Sequence, residues 1–151
     1  MSFLDDIKAF EQKALLAANK AVCKVVEDVF TGAVTHSPSP ISDPQAKFSK
    51  GLLINQWYPH VGGGFSTDQT TATNDYGTGS LSRIKATVTA MPFFGKDNIV
   101  TLTNNVDHAY RAEVLGWPEG KDPNSNWQWT GMVMPYGMVR KSVEAVRGAY
   151  I

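Results

Sequence analysis

The stretch SFLDDIKAFEQKALLAANKAVCKVVEDVFTG, residues 2–32, decides how the rest of the chain is read. Apolar positions recur at Phe3, Ile7, Phe10 and Ala14, then at Ala18, Val22, Val25 and Val29. That is the spacing of one buried helical stripe. Lys13, Lys20, Lys24, Glu27 and Asp28 mostly fall off it. Ser2 can serve as N-cap, with Asp5 three residues on and Asp6 beside it, where both carboxylates favour the positive end of the helix dipole. Gly32 is a natural stop, and Pro38, Pro40 and Pro44 forbid continuation. The spacing predicts one helix over 2–31, spanning roughly 40 Å at 1.5 Å per residue. A small core rarely needs so long an element, so part of it is available to a neighbouring subunit.

Outward from that helix the pattern changes. Residues 33–50 read as a Pro/Ser-rich connection. Gly51-Leu52-Leu53-Ile54-Asn55-Gln56-Trp57-Tyr58 reads as a strand, ended by Pro59 and Gly62-Gly63-Gly64. The Gly/Thr-rich run 62–80 shows no periodicity. So long a polar loop in a small domain is unusual. It reads either as a plain disordered insertion or as an arm, mobile until it docks on an adjacent ring.

Residues 81–91 alternate polar and apolar, which predicts a half-buried strand. Residues 99–104 form a further strand, with Gly95-Lys96-Asp97-Asn98 as a hairpin turn between the two. A short helix follows over 107–115, ended by Gly116. A second irregular loop, 117–131, carries Trp117, Trp127 and Trp129. A final helix fills 137–150, entered through Pro135 and Gly137. The expected fold is one α+β domain: a long N-terminal and a short C-terminal helix packed on a small, mainly antiparallel sheet.

Composition narrows the function. The chain has 151 residues, 42% hydrophobic and 19% charged, which is enough to build a core. Fourteen basic and 14 acidic residues give no net charge, unlike the basic excess of dedicated nucleic-acid binders. Cys23 is the one cysteine; inside the helical pattern it reads as a small buried hydrophobe rather than a nucleophile. No run of apolar residues suits a bilayer crossing, and the acidic N-terminus is unlike a secretory signal. These readings predict a soluble protein made in the cytoplasm.

Catalytic chemistry finds little purchase. His36, His60 and His108 match no metal-ligand spacing, and the first two read as exposed loop residues beside prolines. Gly62–Thr67 lacks the ending of a phosphate loop. Asp107 and Glu113, six apart, fall on roughly opposite faces of a helix and cannot flank one bond. The expectation is a non-enzyme with no cofactor and no metal. The tryptophans are more suggestive: Trp57 reads as core, whereas Trp127 and Trp129 read as either interface anchors or a local loop core.

Four strings, in order, resemble the small neck or tail-completion proteins of tailed bacteriophages. Ser37-Pro38 matches the turn after the long helix, and Gly51–Trp57 matches the strand that follows. Thr103-Asn104-Asn105-Val106-Asp107-His108-Ala109-Tyr110 leads to Glu113-Val114-Leu115-Gly116-Trp117. Pro135-Tyr136-Gly137-Met138-Val139-Arg140 opens the last helix. The chain departs from the family in its Pro-rich insert after Ser37-Pro38, in Asp107-His108 where a Pro-aromatic pair is common, and in the length of its 62–80 loop.

The resemblance implies a virion structural protein at the head–tail junction. It implies a homo-oligomeric ring, most often of six, between the head connector and the tail-tube or terminator proteins. DNA would pass through without sequence-specific binding, and no membrane is involved. A tail terminator or connector adaptor is the nearest alternative. A small hydrolase using His108 with Asp107 or Glu113, and a single-stranded nucleic-acid module using the tryptophans, are the alternatives of other classes. Candidate subunit-interface residues are Phe65 and Tyr76 in the first loop, Trp127 and Trp129 in the second, and Arg140. Arg140 stands in a helix's first turn, where the dipole disfavours a cation, so a carboxylate from this subunit or the next is expected nearby.

Overall fold

A computed structural model describes residues 2–39, 51–71, 73–74, 76–91, 99–115, 117–118, 132–133 and 136–150. The order of elements is α1 (Phe3–Thr35), α2 (Leu52–Asn55), β1 (Trp57–Val61), α3 (Thr78–Ala90), β2 (Val100–Asn104), a π-helical turn (Arg111–Leu115), β3 (Trp117–Pro118), β4 (Met132–Val133) and α4 (Met138–Tyr150). The α+β class holds, with long first and short last helices. The sheet is small. β1 pairs antiparallel with β2 from Trp57 opposite Asn104 to Val61 opposite Val100, and β3 pairs with β4 separately.

α1 begins as its sequence predicts. The Ser2 hydroxyl accepts from the Asp5 N–H, and the Asp5 carboxylate accepts from the Ser2 N–H at 3.0 Å. The two bonds satisfy orphan donors at both ends of a capping box. The helix then runs through Gly32 to Thr35 rather than stopping. Gly32 is where α4 crosses: a Cβ there would lie 2.8 Å from the Ser142 Cβ. The glycine serves close helix packing, not termination.

The core lies at the C-terminal end of α1. Phe30, Ala33 and Val34 pack with Leu53 and Ile54 of α2, Trp57 of β1, Ile84 and Val88 of α3, and Met138 of α4. Trp57 is core, and Cys23 is half-buried against the cluster. By contrast, residues 2–18 are exposed throughout. The one continuous buried stripe expected along α1 is therefore confined to its last third.

Three sequence expectations change. Residues 81–91 are not a strand but most of α3, whose buried positions Ser80, Ile84, Val88 and Met91 follow helical spacing. β2 accordingly finds its partner in β1, not in 81–91. The strand expected from Gly51 starts only at Trp57, because α2 intervenes. One helical turn lets Leu53, Ile54 and Asn55 all be buried, where a strand would turn alternate residues outward. Finally, His60 lies half-buried in β1, opposite Thr101, and not in a loop. The turn at 95–98, Gly116, Pro135 and all but Trp117–Pro118 of the 117–131 loop lie outside the described residues.

Candidate assembly surface

The strings that carry the resemblance meet in space. The Ser37 hydroxyl donates to the Ala33 carbonyl at 2.8 Å, accepts from the Trp57 indole N–H at 2.8 Å, and lies 3.2 Å from the Met138 sulfur. Ser37, Trp57 and Met138 belong to three of the four strings. The fourth is tied in by its asparagines: Asn104 donates to the Leu53 carbonyl at 2.9 Å, and Asn105 donates to the carbonyls of Ser66 and Asp68, each at 2.9 Å. These residues are scaffold: their polar groups are spent inside the subunit.

The carboxylate expected near Arg140 is Glu113, from this subunit. Its two oxygens accept from the backbone N–H groups of Val139 at 3.0 Å and Arg140 at 3.1 Å. A negative charge thus sits on the open N-terminal end of α4, satisfying donors that have no helical partner. The Arg140 guanidinium folds back over Gly137, where an added Cβ would lie 3.0 Å from it. Arg140 itself is exposed.

The 62–80 segment is not a free arm. Gln56 and Thr70 bond each other twice, side-chain amide to Thr70 carbonyl and Thr70 N–H to side-chain oxygen. Thr101 donates to the Gly64 carbonyl at 2.9 Å. Asn55 donates to the Asn74 carbonyl at 2.6 Å, and the Asn74 amide returns a bond to the Asn55 oxygen at 2.9 Å. The segment's last residues, Thr78–Ser80, already belong to α3. Gly77, at φ 64°, makes the entry: a Cβ there would lie 2.7 Å from Val34 and from Ile54. The predicted interface residues Phe65 and Tyr76 remain exposed on this anchored loop. They stand in different parts of it, Phe65 beside the β1–β2 end and Tyr76 before α3. Trp127 and Trp129 lie outside the described residues.

No family model, no curated protein and no solved structure matches the chain. Its own geometry must therefore carry the functional reading.

Of the groups the hydrolase alternative names, one carboxylate is engaged elsewhere. Glu113 is committed to the α4 terminus. Burial pushes the His108 imidazole below its ordinary pKa, against the opposing pull of Asp107. A serine–histidine contact that sequence reasoning missed does exist: His36 Nδ1 lies 3.1 Å from the Ser142 hydroxyl. But Ser142 is buried and its hydroxyl donates to the Met138 carbonyl at 2.6 Å, so it presents no nucleophile. Among the described residues, no three His, Cys, Asp or Glu side chains gather as a metal site, and no helix is long and apolar enough to cross a membrane.

What stands out instead is the N-terminal half of α1. Phe3 is 79% exposed and Phe10 75%, with Leu4, Ile7, Leu15 and Leu16 also in the open. Isolated exposed apolar residues are ordinary, whereas contiguous exposed apolar patches are a common feature of binding sites.

Proposed function

We propose that the chain is a virion structural subunit, a ring-forming tail-completion or neck protein that joins a phage head connector to the tail. The observation that carries this reading is the division of α1. Its last third completes the core, while its first half projects with large apolar side chains exposed. A subunit that folds around one end of a helix and offers the other is built to associate. The order of the four resembling strings supports the head–tail junction as the assembly it joins.

The mechanism is associative. Head-to-tail contacts between identical subunits close a ring by rotation, and the ring's two faces meet connector and tail. The Glu113 bonds tie the π turn to the start of α4, and the Asn105 bond ties the residue after β2 to the first loop; Phe65, Tyr76 and Arg140 are exposed on these segments. The absence of net charge suits a subunit that packs against its own copies and lets DNA pass without sequence-specific contact. Cryo-electron microscopy of intact particles tests the reading. Density for this chain at the head–tail junction is the expected result. A chain missing from purified virions, or one that stays monomeric with connector and tail proteins, would sink it.

A further inference from the structure

At 100° per residue, Phe3, Ile7, Phe10, Ala14, Ala17 and Ala21 form one stripe on α1. The residues that join α1 to its own core, from Cys23 through Val26, Val29, Phe30, Ala33 and Val34, form another. The two stripes lie roughly 160° apart around the helix. The N-terminal stripe is therefore not an overhanging extension of the intramolecular contact; it faces elsewhere. Its spacing alternates four and three residues, the seam of a coiled coil rather than the broader face of a helix in a globular core.

We infer that this stripe pairs with the same stripe of a second copy, the two α1 arms running antiparallel. Size and charge select that partner and direction. In the antiparallel register that sets Ile7 against Phe10 of the other copy, Phe3 meets Ala14, so each layer combines a larger with a smaller side chain. The same register puts Asp6 opposite Lys13 on one flank, twice across the two-fold axis. Parallel arms would instead stack Phe3 on Phe3 and Phe10 on Phe10, and would set Asp6 opposite Glu11, a like-charge pair. Asp5 does not compete for Lys13, because its carboxylate is bound to Ser2.

An isologous contact of this kind closes on itself and cannot build a ring. It gives the free subunit a dimer that hides its apolar arm until ring neighbours replace the partner arm. The inference rests on reading the arm as an assembly surface.

Cross-linking separates the possibilities. In a Cys23→Ser background, Asp6→Cys chains are mixed with Lys13→Cys chains and treated with a short bifunctional thiol reagent. The expected product joins position 6 to position 13. Dimers formed by Asp6→Cys chains alone, or a full-length chain that sediments as a monomer at high micromolar concentration, would overturn the pairing. Charge exchange gives a second readout. Asp6→Lys weakens the dimer about fivefold or more, and adding Lys13→Asp restores it. Failure of the double variant to recover overturns the proposed register. Relative to the Cys23→Ser background, thermal unfolding of the monomer changes little on substitution at positions 6 and 13, which are exposed. A 6-to-13 cross-link in a chain absent from virions supports the pairing while removing the neck reading. A ring in virions with a monomeric free chain removes the pairing alone.

Discussion

The indole N–H of Trp57 donates to the hydroxyl of Ser37 at 2.8 Å, joining the end of α1 to the start of β1 inside the core. Both side chains are buried, so neither group has water as a substitute partner. Ser37→Ala leaves the indole donor unsatisfied and removes the bond to Ala33. It should lower unfolding stability by about 1–3 kcal/mol. Urea denaturation followed by tryptophan fluorescence measures this. Adding Trp57→Phe should cost less in the Ser37→Ala background than in the natural chain, because the stranded donor leaves with the indole.

Phe10 and Phe30 lie on one helix with opposite fates. Phe30 is 9% exposed and Phe10 is 75% exposed. Phe30→Ala should cost about 3–5 kcal/mol through lost burial and the cavity left behind. Phe10→Ala should change monomer stability by no more than about 0.5 kcal/mol. Chemical denaturation at low protein concentration checks both. Equal losses would mean that the arm belongs to the intramolecular core.

Arg83 holds α3 against the α2–β1 junction. Its guanidinium donates to the carbonyls of Asn55 and Trp57 and to the Ser80 hydroxyl, and it lies 4.1 Å from the centroid of the Tyr58 ring. An ammonium group cannot make that planar fork or stack as well on the ring. Arg83→Lys should therefore destabilise by about 1–2 kcal/mol despite keeping the charge. A loss as small as that of a surface lysine substitution would show that charge alone matters there.

Burial holds the His108 imidazole below its ordinary pKa of 6.5. The unfolded chain then takes up a proton at higher pH than the folded one. The resulting stability is complete above pH 6.5 and is lost as pH falls toward the folded value. Urea midpoints should decline from pH 7 to pH 5, and His108→Gln should flatten the decline in that window. An unchanged slope in the variant would assign the acid sensitivity to other groups.

The arrangement of α3 shows why the alternating pattern misleads. Ile84 and Val88 are four apart, which places them on one face in a strand of period two and also in a helix of period 3.6. The alternation of Arg83, Lys85, Thr87 and Thr89 with Ile84, Ala86, Val88 and Ala90 then favours the strand, reinforced by β-branched Thr and Val. The packing overrides it. A helix buries Ser80, Ile84 and Val88 along a single line against α1 and β1, and it brings Arg83 to the carbonyls that end α2.

Local chemistry in the sequence determined the elements whose ends and faces are written in neighbouring residues. The Ser2–Asp5 capping box starts α1, the run 100–104 forms β2, and Met138 onward forms α4. Only tertiary structure decided what depends on residues far apart in the chain. Gly32 continues a helix because Ser142 packs against it, and Glu113 becomes the cap of α4 from 26 residues away. The loop after β1 is fixed by Asn55, Gln56, Thr101 and Asn105. The length of α1 predicted that a small core would use only part of it, but its apolar stripe did not say which end would be left bare. Periodicity reports that a face is apolar, but burial is settled by what else folds against it.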